Sequence, residues 1–403
     1  MSVLGVWMWP ETVAAYGAEK VVLYCAWAGI TDIFFLAKGL AGTVSFSSSF
    51  APAFSGRDLL KELLNAAQER GIRVHAWFTS ACDEHYKALH PESGRYHYVR
   101  GRDKGLISLT DEGYLAYMCG IVRELCRNYE IDGLHLDYIR YNHLLYGWDD
   151  ADLSRYAAAG ADLSRLRSLM ERTFLQGESN EDSCVFNALR EGDPSVRALA
   201  EVRRTDVVRF AGRLCGTARE ERSGLLLSAA LMPEGAYTDT SFADLHYGQS
   251  YADAAVLYDF ALPMAYSGAY GKNSGWVRDV AEGTLRRGIQ TVAGLQAFEG
   301  AGGGVLREDI SALKDLPLTG ICLFRAGSFV LALTQGPETL IVNPLKKPVT
   351  SLICGGTPVQ LPDPVPAGGK RTVRLPAETE DLRAFADAEE LCVYRTDLSD
   401  HSH

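Results

Sequence analysis

The regular alternation of short apolar runs with helical patterns, from residue 1 to about residue 335, constrains the fold more than any other feature. Such alternation is typical of a parallel sheet whose strands are joined by crossover helices. There are eight such runs, and eight strands close a (β/α)8 barrel. The runs are residues 3–9, 31–37, 72–78, 133–139, 225–231, 259–266, 290–297 and 320–324. We therefore predict an α/β fold of the TIM barrel type, with a doubly wound open sheet as the alternative.

Two segments interrupt the alternation. Roughly 85 residues separate the fourth run from the fifth, and connections of that length are usually functional or disordered. We interpret the insertion, at about residues 143–200, as a lid or a cleft wall that is helical over 156–174 and irregular over 176–194. After residue 335, short β-like runs alternate with Pro and Gly turns. The prediction is a barrel over residues 1–335 and a small β-rich appendage over residues 336–403.

Charge and hydropathy exclude several classes of partner. The chain has 40 Lys and Arg against 51 Asp and Glu, a net charge of −11, and no basic block that would follow a phosphate backbone. Nucleic acid is therefore not an expected partner. No apolar run reaches the length of a membrane span, so no membrane association is expected either.

The cysteines and the first residues bear on location. Nine cysteines are scattered without a Cys-x-x-Cys pair, which indicates reduced, mostly buried thiols rather than zinc or redox sites. The opening stretch MSVLGVWMWP lacks the basic region of a secretory signal. We expect a cytoplasmic protein, or a secreted one if a signal has been removed. No pattern indicates a cofactor or an oligomeric state.

The stretch DGLHLDYIRYN, residues 132–142, contains the principal catalytic candidate. Side chains of a strand alternate between its faces, so His135 and Asp137 share one face. Because active sites of barrels lie at the carboxyl ends of the strands, Asp137 is expected to point into the barrel near its mouth. An ionisable group there must be solvated, paired or functional. We predict catalysis, the alternative being structural pairing with Arg140.

Aromatic and basic residues end several other runs. Aromatic faces stack on the apolar faces of pyranose rings, so a carboxylate among them predicts carbohydrate chemistry, although single Trp or Tyr residues are often only core. Arg140 and Arg325 are predicted to bind an acidic sugar or to brace the barrel mouth. His75 and His135 are predicted to contact substrate or to be structural, and they lack the spacing of metal ligands, so no metal is predicted. The aromatic candidates are Trp7, Trp9, Trp77, Tyr138 and Tyr266.

Cleavage of a glycosidic bond usually needs a second carboxyl group. Glu234, in LMPEG after the fifth run, is the first candidate because its strand neighbours that of Asp137 in barrel order. Glu299, in QAFEG after the seventh run, is the second candidate. Asp206 lies in a helical pattern and is interpreted as structural, paired with Arg203 or Arg209 at helical spacing.

Several segments resemble the bacterial glycosyl-hydrolase-like family known as family 10 glycosylhydrolase. The segments are RGIRVHAWF (70–78), IDGLHLDYIRY (131–141), VRRTDVVRF (202–210), LSAALMP (227–233), YGQSYADAAVLYDFALPMAY (247–266) and GICLFR (320–325). The resemblance spans most of the barrel, and IDGLHLDYIRY and PMAY are its more specific parts. It implies a (β/α)8 barrel, a carbohydrate substrate and Asp137 as the catalytic candidate.

The fourth run is also similar to the Asp-Gly-x-Asp-x-Asp-x-Glu pattern of chitinase-like enzymes of glycoside hydrolase family 18. That pattern aligns with Asp132, Gly133, His135, Asp137 and Ile139, so an isoleucine stands at the acid position. Isoleucine cannot donate a proton, which disfavours the substrate-assisted route of those enzymes.

Taken together, the residues predict a glycoside hydrolase with Asp137 as nucleophile or base and Glu234 as acid. One alternative is a carbohydrate-binding barrel without catalysis, expected if no second carboxyl group lies within reach of Asp137. Another is a different carbohydrate-active enzyme such as a deacetylase, which would need a metal cluster at the barrel mouth.

Overall fold

Eighteen strands are present in the computed structural model, which describes residues 3–175, 184–237, 240–298, 303–375 and 381–397 of the 403-residue chain. The first ten are β1 (Val3–Met8), β2 (Asp32–Lys38), β3 (Arg73–Thr79), β4 (Gly94–His97), β5 (Gly101–Ile107), β6 (Gly133–Asp137), β7 (Leu226–Leu231), β8 (Phe260–Ala265), β9 (Val292–Gln296) and β10 (Gly320–Phe324). All of these except the hairpin β4–β5 pair in parallel and form a closed barrel, in which β1 pairs with both β2 and β10. The predicted (β/α)8 barrel is confirmed.

Helices lie between the strands, and most begin at an Asp, Asn or Ser side chain that accepts a hydrogen bond from the first turn. They are α1 (Pro10–Tyr16), α2 (Ala18–Trp27), α3 (Leu59–Gln68), α4 (Glu84–Leu89), α5 (Glu112–Asn128), α6 (Asp150–Ala158), α7 (Leu163–Met170), α8 (Cys184–Glu191), α9 (Pro194–Glu221), α10 (Glu234–Tyr237), α11 (Thr240–Tyr247), α12 (Tyr251–Leu257), α13 (Ser274–Arg286) and α14 (Gly303–Leu313). The apolar faces of the helices and the outward faces of the strands form one large core.

The barrel interior is filled by a second, separate apolar cluster. Trp7, Phe34 and Trp77 are at its centre, each fully or almost fully buried. Gly294 faces the indole of Trp7, where an added Cβ would lie 2.9 Å from the ring carbon Cη2. A barrel of eight strands is just wide enough to be filled by side chains, so large residues here require small ones opposite.

Most of the described insertion after β6 is helical, with breaks at residues 159–162 and 192–193. Helices α6, α7 and α8 pack with α9, a helix of 28 residues, around their own apolar cluster. The irregular structure predicted for 176–194 is corrected in its second half, since residues 184–191 form α8 and α9 begins at Pro194. Val185, Phe186 and Leu189 of α8 are buried, so tertiary packing decides the structure of this polar segment. Residues 176–183 lie outside the described residues.

The appendage contains two four-stranded sheets. Its strands are β11 (Val330–Gln335), β12 (Glu338–Val342), β13 (Ser351–Cys354), β14 (Thr357–Val359), β15 (Lys370–Arg374), β16 (Leu382–Ala386), β17 (Glu389–Leu391) and β18 (Val393–Asp397). One sheet has the order β15-β12-β11-β18 and the other β14-β13-β16-β17. Strand β11 belongs to the first of these sheets and lies just before the boundary predicted at residue 335.

Eight of the nine cysteines are buried, as the sequence predicts. Among the described helices, none combines the length and the apolar character needed to cross a membrane.

Candidate active site

The carboxyl ends of the barrel strands surround a cavity of about 210 Å³, which we call the mouth cavity. Seven residues that the sequence predicts for the site line it: Trp7, Trp9, Trp77, Asp137, Tyr138, Arg140 and Tyr266. Six further residues complete its lining: Leu36, Leu40, Thr79, Ala230, Met264 and Phe324. The structure therefore brings together residues from strands that are distant in sequence.

The carboxylate of Asp137, the last residue of β6, lies among three hydrogen-bond donors. Its Oδ2 accepts from the indole Nε1 of Trp77 at 3.2 Å, and its Oδ1 accepts from the backbone amide of Tyr138 at 2.6 Å. The guanidinium of Arg140 donates to Oδ1 at 3.3 Å. The side chain keeps 8% of its surface exposed and lines the mouth cavity, so the ion pair with Arg140 orients the carboxylate without sealing it.

The backbone at Tyr138 has an unusual conformation. Its φ angle is 52°, in the left-handed region that residues other than glycine rarely adopt. The guanidinium carbon of Arg140 lies 4.7 Å from the centre of the Tyr138 ring. This turn directs the tyrosine ring and the guanidinium to the mouth cavity immediately after the catalytic candidate. Strained backbone of this kind is concentrated at functional sites.

A second wall of the cavity is aromatic. The ring centres of Tyr266 and Phe324 are 5.5 Å apart, and those of Trp7 and Phe324 are 5.7 Å apart. The guanidinium of Arg325 lies 3.4 Å from the centre of the Trp9 ring. Burial lowers the pKa of Arg325, and the charge of Glu11 opposes this effect. Arg325 thus contacts a cavity-lining indole and is not itself among the lining residues.

The two histidines predicted as substrate contacts lie in the barrel interior, and this prediction is corrected. His135 accepts from the indole of Trp7 at 3.2 Å and lies 2.9 Å from the hydroxyl of Ser228. His75 lies 2.8 Å from Oδ1 of Asp32. Both histidines have no exposed surface, so neither can touch a ligand. Burial lowers the pKa of His135 well below its usual value, which keeps its ring neutral.

Glu234, the predicted acid, is the first residue of α10, directly after β7. Its Oε1 accepts hydrogen bonds from the hydroxyls of Tyr247 at 3.2 Å and Tyr270 at 3.3 Å. Burial raises the pKa of this carboxyl group, and the two hydroxyls and the charge of Arg140 oppose the shift in part. Arg140 pairs directly with Asp137, and Glu234 is not among the residues that line the mouth cavity.

The other acidic candidates have different outcomes. Glu299 lies outside the described residues. Asp206 is structural, as predicted, but with different partners, because it accepts from the hydroxyl of Tyr141 at 2.7 Å and from Arg155 at 2.5 Å. Ile139, at the acid position of the chitinase pattern, is buried in the core outside the barrel.

Two features of the site were not predicted from the sequence. Three of the unpredicted lining residues are Leu36, Ala230 and Phe324. Side chains alternate between the two faces of a strand, and this alternation, which predicts the inward direction of Asp137, was the signal that could have identified them. Buried Lys38 forms an ion pair with Asp83 at 3.1 Å and donates to the carbonyl of Cys82 at 2.6 Å. It holds the loop that follows Thr79 at the cavity, and no local pattern connects these residues.

Solved structures with this architecture include several glycoside hydrolase domains. The glycoside hydrolase domain of PgaB (BpsB) from Bordetella bronchiseptica gives a TM-score of 0.64 at 14% identity, covering 80% of this chain and 94% of that one. The catalytic domain of β-amylase from Paenibacillus polymyxa gives 0.58 at 11% identity, covering 81% and 93%. The β-galactosidase from the psychrophilic Marinomonas ef1 gives 0.57 at 15% identity, covering 80% and 54%. The likeness shows a barrel fold that this chain shares with these domains.

No family model and no curated protein matches the sequence. Structural likeness at identities this low establishes the fold, since one barrel fold supports many activities. The resemblance to the family known as family 10 glycosylhydrolase therefore stays a prediction. Within the described ranges, no three His, Cys, Asp or Glu side chains are grouped as ligands for a metal ion.

Proposed function

We propose that this protein is a glycoside hydrolase that acts on an oligosaccharide or polysaccharide. The observation that carries the proposal is the position of Asp137 in a ring-lined cavity at the carboxyl end of a closed barrel. The similarity of the fold to glycoside hydrolase domains supports it.

In this proposal Asp137 acts on the anomeric carbon, either as nucleophile or through an activated water. The hydrogen bonds from Trp77, Tyr138 and Arg140 support this role because they fix the direction of both carboxylate oxygens. A prepositioned reacting group lowers the entropic cost of the reaction. The rings of Trp9, Trp77 and Tyr266 would stack against the sugar.

Glu234 is proposed as the general acid that protonates the leaving oxygen. The raised pKa supports this role, because a carboxyl group must keep its proton at the working pH in order to donate it. Tyr247 and Tyr270 hold the group in place through Oε1.

The test is a hydrolysis screen with aryl glycosides and bacterial cell-wall oligosaccharides, followed by the variant D137N. Asn has nearly the same shape as Asp but cannot act as nucleophile or base, so turnover should fall by at least about 1000-fold. The matched control is D150N, which changes an exposed Asp at the first turn of α6. Wild-type turnover in D137N would remove Asp137 from the mechanism.

The ion pair between Asp137 and Arg140 favours a second candidate, a carbohydrate-binding barrel in which the pair is structural. In that case the same oligosaccharides bind to the wild-type protein and are recovered intact after prolonged incubation. Binding measured by titration calorimetry, together with product analysis, distinguishes the two functions.

A further inference from the structure

A groove on the side of the molecule lies between α2 and the turn that precedes β15. Its volume is about 480 Å³, and we call it the side groove. It is lined by Glu19, Lys20, Leu23, Tyr24, Arg70, Gly368, Gly369 and Lys370. Helix α2 belongs to the barrel and β15 to the appendage, so each part of the chain contributes one wall.

The walls of the side groove are held in place by hydrogen bonds. The hydroxyl of Tyr16 donates to the carbonyl of Pro344 at 2.8 Å, which ties the barrel to the appendage. The backbone amide of Asn343 donates to the carbonyl of Gly369 at 2.9 Å, and Lys370 pairs with Val342 in the sheet. A groove with fixed walls loses little conformational entropy when it binds a ligand.

The side groove is positively charged in a protein whose net charge is −11. Lys20, Arg70 and Lys370 outnumber the one acidic residue of the lining, Glu19. Within the part of the chain that the structure describes, none of these three basic residues forms an ion pair with a carboxylate. Their charges are therefore available to an anion from solution.

Aromatic rings lie beside these charges. The ammonium groups of Lys20 and Lys370 are 5.9 Å and 6.0 Å from the centre of the Tyr24 ring. The ammonium group of Lys370 is also 5.8 Å from the centre of the Trp27 ring, and the two rings are 5.6 Å apart. Tyr24 and Trp27 are half-buried on one face of α2, so a ligand in the groove meets a ring and two ammonium groups together.

We propose that the side groove binds an anionic polysaccharide, a polymer of sugar rings that carry carboxylate groups. Such a polymer presents an apolar ring face next to a negative charge, and this matches an aromatic side chain flanked by ammonium groups. A nucleic acid would need a longer track of basic residues along its phosphates. Three basic residues fit a polymer with a lower density of charge.

The side groove is distinct from the mouth cavity. Arg70 lies in the turn that leads into β3, at the amino ends of the barrel strands, whereas Asp137 lies at their carboxyl ends. No residue lines both sites. The proposal is thus independent of the proposed hydrolysis, and variants can separate the two.

The experiment is affinity electrophoresis of the full chain in native gels that contain polygalacturonate, or pullulan as an uncharged polysaccharide. We expect polygalacturonate alone to retard the wild-type protein, and less so as salt screens the charges. The variant K20Q/K370Q should raise the dissociation constant about fivefold, given the modest energy of exposed ion pairs. The variant Y24A should weaken binding further by removing the ring.

The matched control is K61Q/K314Q, which removes two exposed lysines elsewhere and has the same net charge. It should bind like the wild type. Absence of retardation, or equal weakening in the two double-lysine variants, overturns the proposal. Equally strong retardation by oligothymidylate would assign the groove to nucleic acid instead.

Discussion

The indole of Trp77 and the carboxylate of Asp137 are joined by a hydrogen bond of 3.2 Å between neighbouring strands. Parallel pairing of β3 with β6 sets Trp77 beside His135 and Thr79 beside Asp137. Because both side chains point inward, the indole reaches diagonally to the carboxylate. The register of two strands thus determines the direction of the catalytic candidate.

The variant W77F tests this relationship. Phenylalanine keeps an aromatic ring in the cavity but cannot donate a hydrogen bond, so one oxygen of Asp137 loses its partner. A hydrogen bond to a charged group contributes roughly 1.5–3 kcal/mol, so kcat should fall by about tenfold or more. Steady-state kinetics on an active substrate give kcat and KM separately.

The control for W77F is W148F, which removes a comparable indole hydrogen bond, from Trp148 to the carbonyl of Leu144 at 2.8 Å, within the insertion. Its kcat should remain close to that of the wild type. Equal kcat values for W77F and W148F would show that the indole does not position the carboxylate.

The variant E234Q tests the proposed acid through pH and leaving group. Because burial raises the pKa of Glu234, its proton is lost only above the usual range, and kcat/KM should decline on the alkaline side as the acid ionises. Glutamine does not ionise, so the variant should lose this alkaline limb. Hydrolysis of alkyl glycosides should fall by about 100-fold or more, and hydrolysis of dinitrophenyl glycosides much less, since that leaving group needs no proton.

If the alkaline limb persisted unchanged in E234Q, a group other than Glu234 would be its cause. A loss that is equal for alkyl and dinitrophenyl glycosides would indicate that Glu234 positions the substrate or the loop rather than donating a proton.

The left-handed backbone at Tyr138 predicts an inverted order of stability for two variants. Both Y138A and Y138G remove the ring, but only glycine adopts a φ of 52° without steric cost. Y138G should therefore be more stable than Y138A by roughly 1 kcal/mol. Urea denaturation followed by circular dichroism measures the difference.

Position 213, an exposed arginine in the middle of α9, provides the reference pair. There R213A should be more stable than R213G by about 0.5–1 kcal/mol, the ordinary order in a helix interior. The same order at both positions would mean that residue 138 does not require the left-handed conformation.

The eight barrel strands could be predicted to within two residues at each end because each is a short apolar run bounded by helical patterns. The structure of residues 184–191 could not, since α8 packs against the next helix, α9, and against α11, which is distant in sequence. Likewise the start of the appendage depends on the pairing of β11 with β12 and β18.

The candidate site, like the fold, could be predicted only in part. The alternation of β6 predicts that Asp137 faces inward, and the strand ends predict the aromatic lining. The alternation does not predict how deep in the barrel a side chain lies. His135 is on the same face as Asp137 but is a buried partner of Trp7 and Ser228 instead of a substrate contact. The hydroxyls on Glu234 come from Tyr247 and Tyr270, in two separate segments, and no local pattern connects them.

The variant D32N tests the buried carboxylate of Asp32, the first residue of β2. Buried Asp32 accepts hydrogen bonds from Arg73 at 2.8 Å and 2.9 Å, lies 2.8 Å from His75 and accepts from Thr31 at 2.6 Å. Although burial alone would raise the pKa of Asp32, these partners outweigh it and lower the pKa from 3.8 to about 2. An amide nitrogen cannot accept the hydrogen bonds from Arg73, so D32N should be less stable than the wild type.

The sign of the pH dependence follows from this lowered pKa. The stabilisation by Asp32 is complete above the unfolded-state pKa of 3.8 and is lost as the pH falls through about 2. At pH 7 the variant should lose roughly 2 kcal/mol of unfolding free energy, and this loss should shrink below pH 4. Urea denaturation at pH 7, 5, 4 and 3 measures it, with D150N as the exposed control. A loss that grows as the pH falls would contradict this role for Asp32, because protonation of a paired carboxylate can only reduce what the pair contributes.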